Sequence, residues 1–139
     1  MKLFLDANIL FTAAYSAKGV SRALFGLAEN SRCSLLTSAY AAEEARRNLA
    51  LKAPNVSAEY EKLLGQITVA REPSATTIAR MAALPLVEKD APVMAAAVEC
   101  RADVLVTGDR RDFGHLYGRV VEGVLVLNPV ETLDKVLGE

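Results

Sequence analysis

Residues 88–113 read EKDAPVMAAAVECRADVLVTGDRRDF, and this stretch decides the fold class. Asp90 precedes Ala91-Pro92-Val93-Met94-Ala95, a helix opening with proline in its first turn followed by an uninterrupted run of small apolar residues. The helical pattern runs to about Cys100, and DVLVTGD then supplies a short strand over Val104–Thr107 that delivers Asp109 just beyond its end. That strand is apolar throughout rather than alternating, as strands covered on both faces are.

Outward from this stretch the same alternation of elements continues. Further β-type runs lie at Lys2–Leu5, Ser34–Thr37, Ile67–Ala70 and Val124–Leu127, with helical patterns at about Ser21–Asn30, Ala39–Leu51, Ser57–Leu64, Ser74–Ala83 and Pro129–Leu137. Such alternation predicts an α/β fold of three layers, α/β/α, around a mainly parallel central sheet. The 139 residues, 52% hydrophobic and 24% charged, fit one domain over 1–139. A chain of this size needs no disulfide or metal staple to fold. Pro54-Asn55 and Pro85 break helices without separating domains.

Lys plus Arg number 16 against 17 Asp plus Glu, a net charge of −1, so no basic field advertises nucleic acid and any such contact is local. Cys33 and Cys100 read as core thiols with no disulfide framework or metal spacing. The opening MKLFLDANILFTAAYSA has the outline of a leader, but Asp6 and Asn8 fall where a leader is apolar. Its uncharged stretch, Ala7–Ala17, is shorter than the ~18 residues of a membrane span, and the expectation is a soluble, cytoplasmic protein.

In open parallel sheets ligands sit beyond the carboxyl ends of the strands. KLFL runs into Asp6-Ala7-Asn8, and the later strand into Thr107-Gly108-Asp109, so both deliver a carboxylate to one edge. Asn8 also suits a cap for a helix beginning near Ile9, and Asp109 suits a turn. On the helix at 39–51, a step of 100° per residue puts Ala41, Ala42, Ala45 and Leu49 on one stripe. Glu43 then points away from the stripe, while Glu44 lies at its edge beside Asn48 and is the better site candidate. Asp90 suits an N-cap as well as a site, and Asp112 shares the ambiguity of Asp109.

As a set, Asp6, Glu44, Asp90 and Asp109, with Asn8, Thr107 and Asp112 nearby, have one economical explanation. Two carboxylates 4 Å apart repel by about 4 kcal/mol at an effective dielectric of 20, and four would mostly protonate unless a cation joined them. An all-oxygen donor set calls for Mg²⁺ or Mn²⁺ rather than zinc.

The chain resembles the PIN domains over nearly its whole length, through LDANIL, SAYAAEEARRNL, the stretch at 88–113 and the closing VLVLNPVETL. The resemblance maps the family's four acids onto Asp6, Glu44, Asp90 and Asp109, its polar helpers onto Asn8 and Thr107, and a fifth acid onto Asp112. It implies a Mg²⁺- or Mn²⁺-dependent ribonuclease acting on single-stranded RNA, often the toxin half of a bacterial toxin–antitoxin pair with an antitoxin partner. Arg46, Arg47, Arg110 and Arg111 flank the acids in sequence and can hold a substrate backbone, though each equally suits a solvated helix or loop. High apolar content, and the frequent dimers of PIN-like proteins, point to a homodimer.

Two rival enzyme classes fit less well. The haloacid dehalogenase-like phosphatases need a second acid where this chain has Asn8, and a response-regulator receiver needs paired acids after its first strand. The non-enzyme alternative is a PIN fold kept as an RNA-binding or protein-interaction module, against which the intact acid set argues. His115 reads as a loop residue rather than a general base, and Tyr15, Tyr40, Tyr60 and Tyr117 are too scattered for a stacking platform.

Overall fold

The computed structural model describes residues 1–86 and 88–139. In chain order the elements are β1 (Lys2–Leu5), α1 (Ala7–Tyr15), α2 (Val20–Glu29), β2 (Ser34–Ser38), α3 (Ala39–Lys52), α4 (Ser57–Leu64) and β3 (Thr68–Ala70). There follow α5 (Ala75–Ala82), α6 (Ala91–Glu99), β4 (Val104–Val106), α7 (Arg110–Phe113), β5 (Val120–Val121), β6 (Val124–Leu127) and α8 (Pro129–Leu137). The six strands form one sheet in the order β3-β2-β1-β4-β6-β5. Every pairing is parallel except β5 with β6, as the sequence pattern predicts for a mainly parallel sheet.

Strand residues alternate between two cores because successive side chains leave opposite faces of a pleated strand. Leu3, Leu5, Leu35, Val104 and Val106 pack on one side with Ile9, Leu10, Leu24, Ala41, Ala45, Leu49 and Tyr60 from α1 to α4. Phe4, Leu105 and Val126 pack on the other with Met81 of α5 and Val93, Met94, Ala95, Ala96 and Ala97 of α6. The alanines let α6 lie close against the sheet, and β1 and β4 are buried on both faces as their unbroken apolar runs require.

Several boundaries differ from the sequence reading, and each difference has a local cause. The structure contains α1, which the apolar run at 7–15 conceals. Its Ala7, Ile9, Leu10, Ala13 and Ala14 are buried, so almost all faces are apolar and the helical period is weak. Its cap is Asp6 rather than Asn8: Asp6 Oδ1 accepts from the Ala7 amide at 2.8 Å. β5 has only two residues, held by a turn in which Glu122 (φ 45°) and Gly123 (φ 89°) both adopt left-handed backbone. That is the two-residue turn whose twist matches antiparallel strands.

Cys33 is buried and Cys100 half-buried, and both are free thiols. Among the described residues no helix is long and apolar enough to cross a membrane.

Candidate active site

The parallel ladders do not stop at the last strand residues. The Asp6 amide donates to the Val106 carbonyl at 3.0 Å and the Thr107 amide to the Leu127 carbonyl at 3.1 Å, so the carboxyl ends of β1, β4 and β6 are locked in register. Asp6 and Thr107 therefore emerge side by side. The Thr107 hydroxyl donates to Asp6 Oδ2 at 2.8 Å, and Asn8 Nδ2 donates to the same oxygen at 3.0 Å. Asn8 Oδ1 accepts from the Gly108 amide at 2.7 Å, and the Asp109 amide reaches Thr107 Oγ1 at 3.2 Å. Gly108 suits this close approach: a Cβ would lie 3.2 Å from Asn8 Oδ1, and the Asn8 side chain would have to give by a few tenths of an ångström. Tyr117 fastens the loop from below, its hydroxyl donating to the Thr107 carbonyl at 2.8 Å.

Asp109 caps α7, with Oδ1 accepting from the Asp112 amide at 3.0 Å. The turn-forming reading of Asp109 thus holds, and the same turn brings Asp112 alongside. One carboxylate oxygen each from Asp90, Asp109 and Asp112 lie within 4.8 Å of one another, a group that can hold a metal ion. Asp90 stands at the N-cap position of α6 but makes no capping hydrogen bond, which corrects the capping expectation. Its backbone is helical rather than extended, the conformation in which a cap side chain usually folds back onto the helix. Asp90 is 6% exposed, and its buried Oδ2 has no hydrogen-bond partner among the described residues.

Electrostatics at this edge follow from the crowding. Burial pushes the Asp90 carboxyl up to about 7, helped by the negative charges of Asp6, Asp112 and Asp109 and opposed by Lys89. Burial also raises Asp6, which is 4% exposed, while Thr107, Ala7 and Asn8 hold it down by hydrogen bonding and the charge of Glu44 pushes it up.

Glu44 enters from the facing helix. It lines a cleft of about 230 Å³ with Asn8, Phe11, Thr12, Asn48, Lys52, Lys89 and Asp109. Its neighbour Glu43 is exposed and paired with Arg46, so helix phase separates the two residues as the sequence analysis expects. Arg46 takes the helix-face alternative: Glu43 holds its Nη1 at 2.6 Å, Glu61 of α4 holds its Nε at 2.9 Å, and the guanidinium lies over the Tyr60 ring. The position is therefore taken up by the outer face of α3 and α4. Arg47, Arg110 and Arg111 are exposed and without ion pairs among the described residues, the last two in α7 beside Asp109 and Asp112. His115 lies exposed in a turn of 3₁₀ helix after α7.

Lys89 is the residue that sequence reasoning passed over. It lines the cleft with its ammonium 3.7 Å from Asp112 Oδ2, and its carbonyl accepts the Tyr40 hydroxyl at 3.1 Å. Its position directly before Asp90 was the only available signal.

The site is thus a doubly wound α/β domain's acidic edge: Glu44 and Asp109 line one cleft, Asp109 is grouped with Asp90 and Asp112, and Asp6 and Glu44 stand outside that group of three. A sequence profile described as PIN domain matches residues 2–111, and the chain belongs to that family, whose members are generally nucleases using divalent metals. Solved structures with the same fold include VapBC2 from Rickettsia felis bound to a DNA fragment from its promoter, at TM-score 0.68 and 17% identity over 92% of this chain and 98% of that one. PAE2754 from Pyrobaculum aerophilum is similar at TM-score 0.66 and 21% identity over 100% of both chains. FitAcB from Neisseria gonorrhoeae is similar at TM-score 0.60 and 19% identity over 92% of this chain and 98% of that one. None of the curated proteins matches the chain.

Proposed function

We propose that this protein is a Mg²⁺- or Mn²⁺-dependent endoribonuclease that cuts single-stranded RNA, and that it is the toxin of a toxin–antitoxin pair. The observation that carries the reading is the Asp90 carboxylate, whose buried Oδ2 has no partner among the described residues and which offers an oxygen within 4.8 Å of carboxylate oxygens of Asp109 and Asp112. A buried acceptor without a donor is costly, and a hard cation relieves it while favouring oxygen ligands. Asp90, Asp109 and Asp112 would hold the metal, with Asp6 and Glu44 as the remaining acids of the cleft. Asp112 thereby gains a larger part than its place beside the sequence-predicted set of Asp6, Glu44, Asp90 and Asp109. Bound metal supplies a water of lowered pKa and neutralises charge developing on a phosphate.

The chain's own residues supply position. Thr107 and Asn8 fix the Asp6 carboxylate, Gly108 lets the two loops close on each other, and Arg110 and Arg111 stand exposed where a phosphate backbone would approach. An antitoxin partner is supported by the likeness to VapBC2, a complex bound to DNA from its own promoter. A cytoplasmic homodimer completes the proposal, and a sedimentation mass of one chain at micromolar concentration would remove the dimer.

The test is cleavage of a broad panel of RNAs with Mg²⁺, Mn²⁺ or EDTA. Cleavage with either ion and none in EDTA is expected. Activity that survives EDTA defeats the metal mechanism, and binding without cleavage under every condition favours the non-catalytic module. A small gene next to this one encoding a DNA-binding protein would identify the antitoxin.

A further inference from the structure

A second cavity, about 360 Å³, opens beside the acid cleft and shares its wall. Asn8 and Thr12 line both. The remaining lining includes Ile9, Val20, Gly108, Pro129 and Val130, contributed by α1, α2, the loop after β4 and the start of α8. Its volume falls in the lower part of the roughly 300–1,000 Å³ typical of small-molecule sites. In contrast to the acid cleft, no side chain lining it is ionisable. Its polar groups are neutral: the Asn8 amide, and the hydroxyls of Thr12 and Ser21, 2.7 Å apart.

We propose that this cavity receives the nucleobase of the nucleotide next to the bond being cut. The inference rests on the nuclease reading for its orientation. An occupant must be uncharged, because the walls carry no counter-ion. It must present apolar faces to Ile9, Pro129 and Val130 and hydrogen-bonding edges to neutral hydroxyls and amides, which is the chemistry by which unstacked bases are read. It must also be tethered to a phosphate, since the adjoining cleft shares Asn8 with the cavity and gathers the acids. A base of single-stranded RNA meets all three conditions. An apolar side chain of a partner protein would leave the continuity with the acid cleft through Asn8 and Thr12 unused.

Uncharged nucleosides test the cavity without involving the acids. Adenosine, cytidine, guanosine and uridine would be titrated separately into the protein while the amide resonances of Gly19, Gly108 and Val130 are followed by NMR. At least one nucleoside is expected to shift them saturably, with a Kd of about 0.1–1 mM, the range for a ligand of this size. Val130, 55% exposed at the mouth, can be enlarged without disturbing either core. Val130→Trp is expected to weaken that binding by at least about tenfold, the scale of losing one filled apolar contact. Val69→Trp, at an exposed valine on the β3 edge, controls for a bulky surface residue and should bind as the parent does. The inference is overturned if no nucleoside moves the three amides, or if Val130→Trp binds as tightly as the parent. RNA cleavage without nucleoside binding leaves the nuclease and removes the base pocket; nucleoside binding without cleavage does the reverse.

Discussion

Glu43 and Glu44 are neighbours in the chain, yet they belong to two regions with opposite charge economies. Outward, Glu43, Arg46, Glu61 and the Tyr60 ring form a closed knot in which every charge meets its partner within the protein. Inward, Glu44 and Asp109 line a cleft with Lys52 and Lys89, and Asp109 is grouped there with Asp90 and Asp112, so the acids outnumber the cations. The comparison separates charges that the fold balances itself from charges left for something that binds. The first kind should cost little to remove, and the second should change binding and chemistry out of proportion to stability.

The sharpest way to break the comparison is Asp109→Asn. Asparagine keeps the oxygen that accepts the Asp112 amide, so the α7 cap and the fold should survive. RNA cleavage should fall at least about 100-fold, the scale of removing one preorganised electrostatic partner. Equal activity at matched melting temperature would place Asp109 with the structural charges.

Metal supply should sort the same two regions by stability. Because burial lifts the Asp90 carboxyl to about 7, the folded protein binds that proton more tightly than the unfolded chain does. The Asp90 contribution to metal-free stability is therefore greatest at low pH and is lost as pH rises from near 4 towards 7. Asp90→Asn removes the penalty, and its metal-free melting temperature at pH 8 should exceed the parent's by roughly 3–8 °C, for about 1–2 kcal/mol after allowance for screening. Mn²⁺ should raise the parent's melting temperature and leave the variant's nearly unmoved. Differential scanning calorimetry with and without the ion reads both.

Lys89 gives a finer measure. Lys52 and Lys89 both line the cleft, and it is the Lys89 ammonium that lies 3.7 Å from Asp112 Oδ2, so Lys89→Met should tighten Mn²⁺ binding by roughly threefold to tenfold in titration calorimetry. Unchanged or weaker binding would show that the lysine does not compete with the ion. The smallest effect belongs to the outer knot: Glu43→Ala should lower stability by under about 1 kcal/mol and leave cleavage unchanged. A large loss of activity there would erase the distinction between the two regions.

How much of this was legible in the sequence depended on where each signal resides. Lys2–Leu5, Ser57–Leu64, Val124–Leu127 and Pro129–Leu137 were readable to the residue because apolar runs and turn residues bound them locally. The choice of Glu44 over Glu43 needed only helical phase. By contrast, α1 was seen only as a helix that Asn8 could cap near Ile9, because apolar residues on both its buried and exposed faces blur its period, and β5 was missed because two residues carry no pattern. Sequence left Arg46 open between a substrate contact and a helix-face charge, because Glu61, which pairs with it, comes from another helix 15 residues away. Asp90 looked like a cap by its neighbours, and only backbone geometry shows its carboxylate released from that duty.

The hydrogen bonds from Thr107 to Asp6 and from Gly108 to Asn8 join residues about a hundred positions apart. On a ribosome, the first half of this site is made at once and the second only after some hundred further residues, about 5–20 s of synthesis. Until then β1 has no β4 beside it and the Asp6 carboxylate lacks its threonine. A nascent chain therefore carries no assembled cleft. On the proposed function, the chain would thereby be harmless to the message still being translated, and truncated products ending before residue 107 should be inert.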